Sequence, residues 1–221
     1  MNTLTNPPLS ALLERMFAEA DATQAAFRAE RAKLSPAERA ARTGSSEDYK
    51  TLYLTHARNV HLAVSRETAT LLYMLVRSMK ARDVVEFGTS FGISTLHIAA
   101  ALKDNGGGRV VGSEFEPSKV ARARATMAEA GLADLVEIRA GDALETLSRD
   151  LPETIDLVLL DGAKTLYARV LALLAPRLRS GAMIVADNAD MCPEYMAIVR
   201  APASGYLSVS IGGEVELSQK S

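Results

Sequence analysis

Apolar residues recur at helical spacing near the start of the chain. Leu9, Leu12, Leu13, Met16 and Phe17 stand among glutamates and arginines, which predicts a helix over residues 9–33. A polar break with Pro36 and Gly44 as punctuation covers residues 35–46, and helical character resumes from Glu47. Ser65 then reads as the N-cap of a strongly apolar helix over residues 66–79, ended by the basic Lys80 and Arg82. No Pro/Gly/Ser linker is long enough to detach this stretch. Residues 1–80 therefore read as a helical N-terminal cap on residues 81–221 rather than as a separate domain.

From residue 81 the pattern changes period. Short β-branched and apolar runs predict strands at Asp83–Phe87, Arg109–Glu114, 136–139, Ile155–Leu160 and 182–186. The run at 155–160 is continuous and apolar, as a strand buried on both faces should be. Residues 94–102, 117–130, 143–148 and 166–174 predict the intervening helices. Strands separated by helices argue for βαβ units with right-handed crossovers. Residues 207–211 and 214–218 flank Gly212-Gly213, the pattern of an antiparallel hairpin. The expected fold is α/β: a single domain over residues 1–221, with a doubly wound, mostly parallel seven-stranded sheet, a helical N-terminal extension and a C-terminal antiparallel hairpin.

Composition narrows the function classes. Of 221 residues 48% are hydrophobic and 24% charged, the balance of an ordinary globular chain. A formal net charge of −2 leaves no electrostatic footprint for nucleic acid or an anionic membrane. A lone cysteine, Cys192, excludes an internal disulfide and a cysteine-based zinc cluster. Residues 1–10 lack a basic segment followed by an apolar run, and no apolar stretch is long enough to span a bilayer. A cytoplasmic protein acting on a small molecule is expected.

Chemistry gathers where predicted strands end. Glu86-Phe87-Gly88-Thr89-Ser90-Phe91-Gly92-Ile93-Ser94 follows the first strand, where open α/β sheets bind ligands. Its glycines let the backbone turn sharply and approach a ligand closely. The spacing is not that of a dinucleotide fingerprint or a phosphate loop, and an acid at Glu86 would repel phosphate. Glu86 instead suits a cation such as the α-amino group of S-adenosylmethionine. Glu114 ends the second strand, where a carboxylate can take both ribose hydroxyls of a nucleoside. That residue alone does not separate S-adenosylmethionine from a nicotinamide dinucleotide. Gly141-Asp142-Ala143 follows the third strand, placed either to reach an adenine edge or simply to cap a helix.

Together these motifs make residues 64–221 resemble the catechol and caffeoyl-CoA group of class I O-methyltransferases, which have a Rossmann-like fold. The resemblance implies S-adenosylmethionine as cofactor, with Glu86, Gly88, Ser90 and Ser94 at the methionine end. It places Glu114 at the ribose and Asp142 and Ala143 near the adenine, with Phe115, Val64 and Asp161 also in contact with the cofactor. The run Leu160-Asp161-Gly162-Ala163-Lys164 follows the fourth strand and Ala186-Asp187-Asn188 the fifth. By resemblance Asp161, Asp187 and Asn188 would hold Mg²⁺, or another divalent cation such as Ca²⁺ or Mn²⁺. Three oxygen donors suit a hard cation that keeps some water. Lys164 matches the family's general base, so that Lys164, Asp161 and Asn188 form the catalytic set implied. Without the resemblance, Asp161 caps a helix and Asp187-Asn188 makes a turn.

Departures from the group bear on the acceptor. Only residues 189–205 separate the fifth strand from the hairpin, so one wall of the acceptor site is short. The chain has no Trp, and Glu214 lies near the position of an acid that holds a second hydroxyl. The expected activity is metal-dependent O-methylation of a small phenolic or otherwise hydroxylated acceptor. Alternatives are a metal-independent O- or N-methyltransferase of the same fold and a non-catalytic S-adenosylmethionine-binding protein. Residues 1–60 show no match and read as an acceptor-specificity element or a homodimer contact.

Overall fold

The structure is a computed structural model that describes residues 2–38 and 49–221. The polar break at 35–46 and the restart at Glu47 thus fall mostly outside the described residues. Seven strands form one sheet in the order β3-β2-β1-β4-β5-β7-β6. The strands β1 (Asp83–Phe87), β2 (Arg109–Glu114), β3 (Val136–Ala140), β4 (Ile155–Leu160) and β5 (Leu178–Ala186) run parallel. The pair β6 (Tyr206–Ile211) and β7 (Val215–Lys220) is antiparallel, with β7 hydrogen-bonded to β5. Strand order reverses between β1 and β4, which opens a crevice at their carboxyl ends.

The period of two along each strand feeds two separate cores. Val84, Val110, Leu157, Leu159 and Val185 point to one side. There they meet α1 (Leu9–Ala32), α2 (Arg66–Ser78), α3 (Ile93–Asp104) and α4 (Pro117–Glu129). Val85, Val111, Val158, Leu160 and Ile184 point to the other, covered by α5 (Ala143–Thr146), α6 (Tyr167–Leu174) and α7 (Pro193–Val199). Burial of both faces is what their unbroken apolar runs require.

The apolar stripe of α1 belongs to the first of these cores: Leu9, Leu12, Leu13, Met16, Phe17 and Ala20 are all buried there. The apolar stripe of α1 thus packs within the chain. Asp104, closing α3, accepts from Thr3 N at 2.8 Å and from Tyr73 Oη at 2.6 Å, which ties the N-terminus down. Ser65 Oγ accepts from Thr68 N at 3.0 Å, the expected N-cap of α2. Among the described residues no helix is long and apolar enough to cross a membrane.

Two elements differ most from the sequence expectation. Strand β5 begins at Leu178 rather than 182, because its register against β4 slips between Ile155 and Leu157. Gly181, at φ +77°, accommodates that bulge, so a residue that reads as a strand breaker lies inside a strand. Helix α7 was not expected at all. Pro193 opens it at a position where no N–H is needed, and Tyr195 and Val199 bury its inner face.

The hairpin is clamped by one ion pair. Glu216 on β7 is buried and accepts from Arg200 Nε at 2.8 Å and Nη2 at 2.7 Å, with Ser208 Oγ at 2.7 Å. Arg200 holds the Glu216 carboxyl below its usual range. Arg200→Ala should destabilise the fold at neutral pH, because it leaves the buried Glu216 carboxylate without its cation. Because the folded-state pKa is depressed, this contribution is full above the unfolded glutamate value of about 4.3 and fades as pH falls through the folded one. Urea unfolding of variant and parent should therefore differ at pH 7 and converge in acid; a constant difference across that range would refute the assignment.

Candidate active site

Backbone hydrogen bonds continue one step past the ends of the parallel strands. Gly141 N donates to Glu114 O at 2.9 Å and Gly88 N to Ser113 O at 3.0 Å. Asp161 N donates to Phe87 O at 2.8 Å and Asp187 N to Leu160 O at 2.9 Å. The loops leave their strands in step, so Glu114, Gly88, Asp161 and Asp187 stand in a row along the carboxyl edge. The backbones of two of these loops approach closely at Gly88, where φ is +100° and an added Cβ would lie 2.6 Å from Asp161 C and 2.7 Å from Gly162 N.

Glu86 behaves differently from the expectation. Its carboxylate is fully buried and accepts from Thr89 Oγ1 at 2.8 Å, Ser94 Oγ at 2.6 Å and Thr95 Oγ1 at 2.6 Å. Burial raises its pKa and the three hydroxyls oppose the rise. Glu86 thus does not line a pocket wall; it braces the 88–92 loop and the start of α3 from behind. Gly112, its neighbour on β2, leaves the room: a Cβ there would sit 3.2 Å from Glu86 Oε2.

Gly88, Ser90, Glu114, Phe115, Ala143 and Asp161 line one pocket, as their assignment to a common ligand requires. Glu114 is held by two backbone amides, Ser90 N at 2.7 Å and Glu116 N at 2.9 Å, which leaves further lone pairs on each oxygen. Asp142 caps α5 through Leu144 N at 3.0 Å and pairs with Lys50 at 3.3 Å, so its capping role is realised. Ser94 belongs to a small neighbouring cavity with His61 and Thr89. His61 stacks on Phe91, with ring centroids 4.0 Å apart, and burial foremost takes its pKa down to about 4.

A larger cleft adjoins this pocket, and Asp161 lines both. Lys164, Asp187, Asn188 and Val64 line the cleft with it. One wall is the face of α1 carrying Phe17, Gln24 and Phe27; another is the hairpin turn with Ile211 and Glu214. Asn188 holds its position in the left-handed region at φ +49°. Lys164 Nζ donates to Asp161 Oδ1 at 3.2 Å, Asp187 O at 3.1 Å and Tyr167 Oη at 2.7 Å. Burial foremost raises the pKa of both Asp161 and Asp187 and Lys164 opposes the rise; the Asp187 charge adds to it at Asp161, and Glu214 and Asp190 add to it at Asp187. Two carboxylates this close favour a cation between them or a shared proton. Among the described residues no group of three or more His, Cys, Asp or Glu side chains could hold a metal; the expected donor set is two acids and an amide.

Two side chains are missed or undervalued by the sequence. Tyr167 reads as packing, and it is fully buried, yet its hydroxyl stands 2.8 Å from Leu160 O and 2.9 Å from Asp187 O while accepting from Lys164. Its place one turn after Lys164 is the only sequence signal. Lys119 carries no motif, but it is buried and lines the pocket beside Glu114.

Residues 85–189 match a family model described as a methyltransferase domain. The chain is 36% identical over 127 residues to a catechol O-methyltransferase of Mycobacterium tuberculosis, an alignment covering 58% of this chain and 57% of that protein. It is 32% identical over 130 residues to a catechol O-methyltransferase of Niastella koreensis, covering 58% of each. The chain thus spans under three fifths of the length of these curated relatives. The solved structure of the O-methyltransferase TomG from Streptomyces achromogenes, involved in tomaymycin synthesis and in complex with SAM, is 26% identical. That match covers 80% of this chain and 91% of TomG, with a TM-score of 0.66.

Gly88→Ala tests the loop packing on which the row of residues depends. Positive φ and a backbone clash act together, so a loss of roughly 3 kcal/mol or more is expected in urea unfolding. A loss below about 1 kcal/mol would show that the β1 and β4 loops part easily.

Proposed function

We propose that this chain, whose residues 85–189 match a methyltransferase domain and whose relatives are O-methyltransferases, carries out S-adenosylmethionine-dependent O-methylation of a small hydroxylated acceptor. The acceptor class is phenolic and the reaction is assisted by a divalent cation. The observation that carries the reading is Asp161 on the wall common to a nucleoside-type pocket and a wide cleft, with Lys164 and Asp187 beside it. A methyl donor in the pocket and an acceptor in the cleft would meet there.

The pocket fits such a donor on two counts. Glu114 lines the pocket with accepting capacity left on both oxygens, as a ribose diol would need, and Ser90 Oγ is buried without a hydrogen-bond partner. When bound, S-adenosylmethionine supplies a sulfonium methyl for in-line displacement: an O–C bond forms, the C–S bond breaks and a neutral thioether leaves. Asp161, Asp187 and Asn188 fit a hard cation by their oxygen donors and by the raised carboxyl pair that a cation would relieve. Such an ion would lower the pKa of an acceptor hydroxyl, as metals do for water.

The remaining work falls to the chain itself. Where a cation held by Asp161 and Asp187 replaces it as their counter-charge, Lys164, having released its own proton to solvent, would then take the proton of the acceptor hydroxyl at Nζ. Tyr167 fixes where that nitrogen sits, through a hydroxyl anchored on two strand-end carbonyls. The α1 face and the hairpin turn would form two walls beside the acceptor.

Calorimetry should show S-adenosylhomocysteine binding, and methyl transfer to a catechol panel should stop with EDTA and return with Mg²⁺. Lys164→Met should lower turnover by about 10²–10⁴-fold with cofactor affinity kept, the range for acid–base groups. Turnover unchanged by chelator would overturn the metal. It would leave a metal-independent methyltransferase in which Lys164 itself balances Asp161, as their 3.2 Å contact allows.

A further inference from the structure

Lys119 stands in the first turn of α4 and is only 1% exposed, yet it lines the pocket beside Glu114. Lysines usually keep the ammonium in water and bury only the stem. Here Nζ lies 5.3 Å from the Phe91 ring centroid and has neither a hydrogen bond nor an ion pair with any described residue. A buried charge without partners is costly, and this one is partly compensated at a distance by Glu114, Glu116 and Asp161. Glu116 is already engaged by Arg58, Ser118 and its own helix amide. Glu114 is not: each of its oxygens takes one backbone N–H and has capacity left.

The group that fits between them follows from their charges. A cation would be repelled by Lys119 and an anion by Glu114. A neutral hydroxyl satisfies both, donating to the carboxylate and accepting from the ammonium. One hydroxyl oxygen bonded at about 2.7 Å to an oxygen and about 2.9 Å to a nitrogen, with tetrahedral opening, holds those atoms about 4.6 Å apart. That spacing exceeds ion-pair contact, and Lys119 and Glu114 line one pocket without forming an ion pair while the Glu114 charge still acts on the lysine. Ser90 Oγ, buried and unpartnered on the same wall, adds a second unmet polar atom.

We propose that Lys119 is a specificity-determining residue of the cofactor pocket, gripping one ribose hydroxyl from the side opposite Glu114. This rests on the reading of the pocket as the S-adenosylmethionine site. Lysine and glutamate together then select a vicinal diol more strictly than the carboxylate alone. A deoxyribose leaves a buried ammonium unmet, and a phosphorylated ribose meets Glu114.

Binding of S-adenosylhomocysteine and of its 2′-deoxy and 3′-deoxy analogues, measured by calorimetry on the full chain, tests this without turnover. Lys119→Met should weaken S-adenosylhomocysteine binding by about 10–100-fold, the loss expected for a hydrogen bond to a charged group. One deoxy analogue should bind parent and Lys119→Met with nearly equal affinity, which identifies the hydroxyl gripped. Lys119→Gln, which keeps a neutral donor, should fall between and serves if the methionine variant fails to fold. Equal deoxy penalties in parent and variants would overturn the inference and leave Lys119 as a distant counter-charge. Absence of S-adenosylhomocysteine binding to the parent would overturn the methyltransferase reading, and this inference with it.

Discussion

The site depends on backbone register. Parallel strands usually lose their neighbours where the loops begin, yet here Gly141, Gly88, Asp161 and Asp187 each donate to the strand alongside. Those bonds carry the alignment of the sheet into the loops, and they fix three carboxylates from three different strands along one edge. No side-chain interaction among the acids could do this, since like charges repel. The backbone holds them against that repulsion, and Gly88 permits it by presenting no Cβ to the Asp161 peptide.

Each buried acid is then satisfied in a different way, and the difference sets what it can do. Glu86 is saturated by three hydroxyls and is left with a bracing role. Glu216 is met by a guanidinium and locks the hairpin. Glu114 is oriented by amides and keeps capacity facing the pocket. Asp161 and Asp187 share one lysine between them and remain short of positive charge. Residual demand for a partner, rather than burial as such, separates ligand-facing acids from structural ones.

Much of this was legible in the chain because it is local. The strands at 83–87, 109–114 and 155–160 are marked by runs of β-branched and apolar residues and begin and end where expected. The row of Glu114, Asp161 and Asp187 emerges once each motif is placed at a strand end. What stayed hidden depends on partners distant in sequence. Whether Glu86 faces a ligand or three hydroxyls is decided by Gly112 on another strand and by the phase of α3. The early start of β5 depends on a register slip against β4. Lys119 looks like any solvated helix lysine until the Phe91 loop closes over it. Helix α7 is too short, with Pro193 at its head, for periodicity to announce it.

Asp161 lies on the boundary of two cavities, so neither can be filled without altering the surface offered to the other. Asp161 and Leu62 line both cavities, so a substitution at either one changes two walls at once.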